Sequence, residues 1–353
     1  MMKAAYTPYR LHFIEPGGTS RGVLLHKDTF FLKIWDESAP EVYGLGECAL
    51  FKGLSAEDNI HYEDKLRELC RNIEAETATD LSEHSSIQFG FETALRDLAS
   101  GGKRQIFASP FVEGKQNIPI NGLVWMGTKD EMLGRIEQKI EAGFRTIKLK
   151  IGAIDFDSEL ELVRYIRQRF APDSLAIRVD ANGGFTPDNA LQRLDALAKY
   201  SIHSCEQPIK QGQWVEMADI CRRSPIHIAL DEELIGITNP MTMMSLLQTI
   251  RPHYIILKPS LMGGFSGSIE WLKMASLMNI GGWITSALES NVGLNALAQW
   301  VATLRPLIPQ GLGTGALFSN NVASPLEQHA DYLCYNPGIE WQIPDFNWIT
   351  TDK

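Results

Sequence analysis

Thr146-Ile147-Lys148-Leu149-Lys150 alternates apolar and basic side chains and ends on a lysine. Successive side chains on a strand point to opposite faces, so Ile147 and Leu149 share one face, and Lys148 and Lys150 share the other. The next apolar run, Leu175 to Asp180, ends on Asp180 with Arg178 two residues earlier on the same face. Three further runs follow at intervals of about 25 to 30 residues: Ile202 to Glu206, His227 to Asp231 and Tyr254 to Lys258, each again ending on an ionisable group. Ser204 and Ala229, two residues before Glu206 and Asp231, are small, as suits the layer beneath a crowded charged site. Ile118 to Asn121 on one side, with Trp283 to Ser286 and Gln310 to Thr314 on the other, bring the strand candidates to eight. Each is separated from the next by an amphipathic stretch of helical character, which predicts an α/β chain folded as a closed parallel (β/α) barrel of the TIM type.

Helix punctuation agrees with this count. Thr186-Pro187 and Asn239-Pro240 each set a capping side chain before a proline at the first helical position, and Gly143 ends the helix before Thr146. A doubly wound open sheet is the alternative, but no glycine-rich dinucleotide turn follows the first strand. Gly263-Gly264 with Gly267 lacks the lysine of a phosphate loop and is expected to be a turn opening a helix. Before the barrel, residues 5–50 alternate apolar and polar positions around turn signals at Glu15-Pro16-Gly17-Gly18 and Asp36 to Pro40, which predicts an antiparallel meander. Helices over Glu57 to Ile73 and Ser85 to Ala99 follow, the second stopped by Gly101-Gly102. The expected organisation is therefore an α+β capping domain over 1–112, the catalytic barrel over 113–320, and a C-terminal segment, 321–353, that returns to pack on the capping domain.

Composition narrows the function classes. The 353 residues are 44% hydrophobic and 22% charged, enough to bury a large core. A formal net charge of −10 argues against a surface that neutralises nucleic-acid phosphates or anionic lipid. Met1 to Phe13 lacks the apolar run of a secretory signal, and no stretch of roughly 18 apolar residues is present to span a bilayer. A cytoplasmic location, with no nucleic-acid or membrane partner, is the expectation. Cys48, Cys70, Cys205, Cys221 and Cys334 form no CxxC pair, so neither a disulfide framework nor a structural zinc site is expected.

Taken singly, two lysines at a strand end read as a solvated edge, and an aspartate before a helix reads as a cap. Taken together, Asp180, Glu206 and Asp231 converging on one partly buried space would repel one another and lose hydration unless a cation sat between them. Oxygen ligands without His or Cys select a hard ion, so Mg²⁺ is expected, with Mn²⁺ an admissible substitute. A lysine acts as a base only when part of it is neutral, which neighbouring positive charge favours. Lys148 and the metal would supply that charge to Lys150, and Lys258 would stand on the opposite wall of the barrel mouth.

Lys148-Leu149-Lys150, Asp180-Ala181-Asn182, Glu206-Gln207-Pro208, Asp231-Glu232 and Leu257-Lys258-Pro259 resemble, in order and approximate spacing, the motifs of the enolase superfamily. The resemblance extends over essentially the whole chain and is to the muconate lactonizing enzyme-like subgroup. It implies a modified enolase-type barrel and a Lys base acting beside magnesium on an enediolate, a property of the superfamily rather than a deduction from these residues. The acid-sugar dehydratase branch uses a His-Asp dyad where this chain has Lys258 and the Ser286 region. His227, about 13 Å below the strand end at ~3.3 Å per residue, is expected in the core. Dipeptide epimerases carry Asp-x-Asp at the eighth strand, where this chain has Gly311-Leu312-Gly313-Thr314.

That uncharged segment, Ser286-Ala287-Leu288-Glu289-Ser290 and Arg178 imply a particular member chemistry within the subgroup. It is the syn dehydration of 2-succinyl-6-hydroxy-2,4-cyclohexadiene-1-carboxylate to 2-succinylbenzoate in menaquinone synthesis. On this resemblance Lys150 removes the α-proton and then helps the hydroxyl leave, Lys258 steadies the enediolate, and Arg178 and Asn182 support the metal site. Ser286, Ser290, Gly311 and Gly313 are candidates for the succinyl tail, with Gly17-Gly18 reaching over as a lid. Two readings compete: an N-acylamino acid racemase or related lysine-base epimerase on the same scaffold, and a barrel that binds a ligand without turnover. A small-molecule carboxylate is the expected partner, and a homo-oligomer is left open.

Overall fold

The computed structural model describes residues 1–19, 22–74 and 80–351. At the N-terminus β1 (Met2–Thr19), β2 (Gly22–Asp36) and β3 (Tyr43–Cys48) form an antiparallel sheet. The Glu15-Pro16-Gly17-Gly18 signal is not a chain reversal: it is a register shift inside β1, between His12 and Gly17, and pairing with β2 continues to Thr19↔Gly22. The hairpin tip therefore extends farther than expected and reaches the barrel, where the Gly18 carbonyl accepts from Met126 N–H at 3.1 Å. A Cβ on Gly18 would lie 2.1 Å from the Met126 carbonyl oxygen, so only glycine permits this approach.

Two helices cover the sheet, α1 (Tyr62–Arg71) and α2 (Ser85–Ala99). The first starts five residues later than Glu57 because the Glu57 carboxylate is buried and accepts from Ser86 N–H at 2.8 Å, at the start of α2. Helix α2 lies directly on β3, where a Cβ on Gly46 would meet the Gly90 carbonyl oxygen at 1.9 Å. Asp97, at the end of α2, is fully buried, pairs with Arg104, and accepts from Leu45 N–H at 2.9 Å and Arg104 N–H at 2.6 Å. Asp97→Ala strands the Arg104 cation and two amides, and is expected to destabilise the protein by about 3–5 kcal/mol, read as a lower urea midpoint.

The barrel strands are β5 (Gly122–Val124), β6 (Thr146–Lys150), β7 (Ala176–Asp180), β8 (Ser204–Glu206), β9 (His227–Leu230), β10 (Tyr254–Leu257) and β11 (Gly281–Ile284), all parallel neighbours in chain order. Between and after them run α3 (Lys129–Glu141), α4 (Phe156–Arg169), α5 (Pro187–Ala198), α6 (Trp214–Arg223), α7 (Pro240–Ile250), α8 (Gly264–Leu277) and α9 (Asn291–Leu304). Thr186 and Asn239 precede α5 and α7 as caps, Asn239 Oδ1 accepting from Met241 N–H at 2.9 Å, and Gly143 ends α3 in a left-handed conformation. The eighth strand expected at Gln310 to Thr314 is reduced to two bridges, Ile120↔Gln310 and Thr285↔Gly311, which join the two edges of the seven-stranded sheet. Ile118 to Asn121 is not one barrel strand either. Ile118–Pro119 forms a separate short strand, β4, paired with the C-terminal strand β13 (Tyr332–Tyr335), and the barrel strand starts at Gly122.

Strand alternation sorts the barrel side chains. Ile147, Leu149, Ile177, Val179, Cys205, Ile228, Leu230, Ile255 and Leu257 are buried and belong to the core shared with the helices. The opposite face, carrying the ionisable residues, lines the barrel interior. After Gly311 the chain forms β12 (Leu326–His329), paired with β13, and β14 (Ile349–Thr350), which adds to the N-terminal sheet beside β1. Among the described residues no helix is long and apolar enough to cross a membrane. All five cysteines are free.

Candidate active site

Register places the charged residues. Lys150 pairs with Asp180, and Asp180 with Glu206, across β6, β7 and β8. Glu206 pairs with Ala229, so Asp231 stands two residues farther out, and Lys258 follows the end of β10 on the next strand. Lys148 lies 2.8 Å from Asp180 Oδ2 and 2.5 Å from Glu206 Oε2, and Lys150 lies 2.7 Å from Asp180 Oδ2. Lys258 pairs with Asp231. In the order of the closed ring β6 and β10 are four strand positions apart out of eight, counting the bridging segment as one, so Lys150 and Lys258 stand on opposite walls.

The turns after the strands complete the layer. Asn182, held at φ 44°, accepts from Lys150 Nζ at 2.7 Å and donates to Glu232 Oε1 at 2.8 Å. Gln207, at φ 36°, accepts from Asp231 N–H at 3.1 Å and donates to Glu233 Oε2 at 3.1 Å. Two non-glycine residues in left-handed backbone at consecutive strand ends mark strain that these hydrogen bonds hold in place.

The site gathers buried charges of both signs. Asp180, Glu206, Asp231 and Glu232 are buried carboxylates facing three ammonium groups. Burial pushes the Glu206 carboxyl well up, and Asp180 and Asp231 add to the shift against Lys148 and Lys150. Asp180 moves down, because Lys148 and Lys150 outweigh the penalty of its burial. Lys148 moves up, because Asp180, Glu206 and Asp231 outweigh its burial. As they stand, the acids close on lysines: among the described residues no three His, Cys, Asp or Glu side chains are gathered as an ion would gather them. Glu206 Oε1 and Asp231 Oδ1 are nevertheless buried without a hydrogen-bond partner among the described residues. Buried carboxylate oxygens left over from every hydrogen bond are what a hard divalent ion would take.

Above this layer opens a cleft reached by Lys148, Lys150, Lys258, Asn182, Ser286, Gly311 and Gly313. Its far wall is neutral: Thr285, Ser286 and Thr314, with Leu288, Leu123 and Trp125. Thr19, Phe51 and Leu54 close it from the capping side, and among the described residues no acidic side chain lines it.

A family model described as enolase C-terminal domain-like matches residues 131–330, more than half of the chain. The chain belongs to the enolase superfamily. It is 45% identical to the o-succinylbenzoate synthase of Desulfotalea psychrophila, over 92% of this chain and 96% of that protein. The crystal structure of MenC from the same organism superposes with a TM-score of 0.80 at 40% identity, covering 94% of this chain and 99% of that one. A D-Ala-D/L-Ala epimerase from Cytophaga hutchinsonii is more distant, 26% identical over 80% of this chain and 78% of its own length.

Three expectations built on the superfamily resemblance need correction. Ser290 does not reach the cleft: it is the N-cap of α9, its hydroxyl accepts from Val292 N–H at 3.1 Å and donates to Glu47 Oε2 at 2.5 Å, and it is fully buried. Arg178 does not brace the acids through a hydrogen bond. It lies a layer below, stacked 4.1 Å over Trp283, and donates to the Pro309 carbonyl at 2.9 Å and to Asn121 Oδ1 at 3.3 Å. Burial lowers its pKa to about 10, against Glu206 and Tyr254, and its hydrogen bonds tie the closing segment to the barrel. His227 is exposed at the foot of the barrel, where its ring centre lies 4.6 Å from that of His253, because the strand begins outside the packed layer.

Sequence reading missed Thr19, Phe51, Leu54, Leu123 and Trp125 in the cleft wall, and Glu232 beside Asn182. Only Glu232 had a signal, as the second acid of Asp231-Glu232; the others sit in segments whose local pattern says nothing about what they face.

Proposed function

We propose that this chain is an o-succinylbenzoate synthase, a hydro-lyase that converts 2-succinyl-6-hydroxy-2,4-cyclohexadiene-1-carboxylate to 2-succinylbenzoate on the way to menaquinone. The observation that carries the reading is two ammonium groups, Lys150 and Lys258, on opposite walls of a cleft that Lys148 also reaches and whose other described lining residues are uncharged. A dianionic substrate suits such a cleft. A dipeptide, which brings an ammonium group, would find no carboxylate among the described lining residues to hold it.

The metal reading rests on the unpartnered oxygens of Glu206 and Asp231 and on Asp180 beside them. Asp180, Glu206 and Asp231 would hold Mg²⁺, or Mn²⁺ in its place. When bound, the ion supplies Lewis acidity for the substrate carboxylate and neutralises charge that grows as the α-proton leaves. Lys150 takes that proton and, as the conjugate acid on the same face, returns it to the departing hydroxyl, which makes the elimination syn. Lys258 donates from the far wall to the enediolate. Lys148, fastened to Asp180 and Glu206, raises the positive potential around Lys150. Asn182 orients the Lys150 ammonium between substrate and Asp180. Ser286, Gly311 and Gly313 would face the succinyl tail.

In this reading 1–112 caps the barrel of 113–320, and 321–353 fastens the two; the enzyme works in the cytoplasm on a small carboxylate and forms a homo-oligomer or acts alone. Incubating the protein with the cyclohexadiene substrate and Mg²⁺, and following the rise of aromatic absorbance, is the test, with a chelator expected to stop the rise. Racemisation of N-succinyl amino acids without any aromatic product would replace the proposal with the racemase reading.

A further inference from the structure

Three charged side chains that the chemistry above does not use are buried where the capping sheet meets the barrel. Lys27, on β2, is 6% exposed, and among the described residues its ammonium has no hydrogen-bond partner. Glu47, on β3, is fully buried and accepts from Thr29 Oγ1 at 2.9 Å, Ser290 N–H at 3.0 Å and Gly293 N–H at 3.0 Å, so that it occupies the amide end of α9. Glu289, just before α9, is fully buried as well. Burial pulls the Lys27 pKa down, and Glu47 and Glu289 are the charges that oppose it; burial pushes Glu289 up, and Lys27 is the first charge to oppose that. Lys27 shares its strand face with Thr29, whose hydroxyl donates to Glu47, so the lysine stands beside the glutamates without direct pairing.

Glu289 is bound to the cleft wall. Its Oε2 accepts from Ala287 N–H at 2.7 Å, and its Oε1 accepts from Ser260 Oγ at 2.5 Å, two residues after Lys258. Ala287 sits between Ser286 and Leu288, and all three line the cleft. Leu288 is held at φ 63°, a conformation that costs a branched side chain energy and relaxes unless the neighbouring turn is pinned. One carboxylate therefore joins the turn after β10 to the turn after β11.

We infer that Glu289 is a positioning residue that sets the Ser286–Leu288 wall against the substrate's tail, and that Lys27 of the capping sheet is the counter-charge that keeps it there. The choice of ligand for its test rests on the dehydratase reading; the geometry does not. Without Lys27, two buried carboxylates face each other uncompensated, and Glu289 must protonate or swing away. Without the Glu289 carboxylate, the Ala287 amide loses its acceptor. A glutamine in place of Glu289 keeps both contacts, because its oxygen accepts from Ala287 and the Ser260 hydroxyl turns to accept from its amide.

The experiment measures Mg²⁺-dependent turnover and, by calorimetry, binding of 2-succinylbenzoate to wild type, E289A, E289Q, K27M and the K27M/E289Q pair. E289A and K27M are expected to raise KM and the product Kd by about tenfold with a smaller change in kcat, and E289Q to stay near wild type. The pair is expected to bind more tightly than K27M alone, because it removes the charge whose partner is missing. If K27M fails to fold while the pair folds, the counter-charge role is likewise supported. An E289A protein with wild-type KM and product affinity would overturn the inference, as would a pair no better than K27M. Absence of turnover in the wild type, with product bound normally, would instead count against the dehydratase reading and leave the binding comparison intact.

Discussion

Lys150→Ala is expected to slow dehydration by about a thousandfold or more while leaving the protein folded and able to bind a divalent ion. Lys150 reaches the cleft from β6 and touches one acid, Asp180, which also keeps Lys148. Loss of Lys150 removes a cation from beside the three acids, so Mg²⁺ affinity should hold or rise. Calorimetric titration with Mg²⁺, alongside single-turnover rates, separates the two effects. Turnover within tenfold of wild type would reject Lys150 as the base, and Mg²⁺ binding lost together with turnover would mean that the lysine acts through the site's structure. Solvent-deuterium exchange at the substrate α-carbon should vanish in the same variant, since the proposed base is the group that moves that proton.

Glu206→Ala has the opposite signature. Glu206 lies at the centre of the strand-end acids, between Asp180 on β7 and the Asp231 strand, and carries one buried oxygen with no hydrogen-bond partner among the described residues. Removing groups that merely orient metal ligands costs about 10–100-fold in affinity, so deleting a ligand is expected to weaken Mg²⁺ binding by about 100-fold or more. Lys148 would remain, partnered only by Asp180, and its positive charge would then oppose the incoming ion. Normal Mg²⁺ affinity in this variant would remove Glu206 from the ligand set, and raising Mg²⁺ concentration should restore part of the lost activity if the assignment is right.

The catalytic layer was legible because strand geometry converts a two-residue period into a face. Lys148 and Lys150, Arg178 and Asp180, and Ser204 and Glu206 had to share sides once their runs were strands, and parallel pairing then set them beside one another. Helix boundaries were equally local: Ser85 to Ala99 is read correctly from apolar spacing and two glycines. What failed depended on partners far along the chain. Ile118 and Pro119 look like the start of a barrel strand, yet they pair with β13, more than two hundred residues away. Ser290, expected at the succinyl tail, caps α9 instead, because Glu47 and the α9 amides take up its hydroxyl. Thr19, Phe51 and Leu54 belong to the capping segments, so their place in the cleft was set by docking of two units rather than by any neighbouring residue.

Two of the barrel's helices begin on carboxylates supplied by the capping unit. Glu47 receives the amides at the start of α9, and Glu92 of α2 receives Phe265 N–H at 2.6 Å at the start of α8. Pulling the cap away would bare both helix ends and leave two acids without donors, a penalty paid all at once. The cap therefore cannot swing as a rigid hatch. Heating should accordingly melt both units in one calorimetric endotherm.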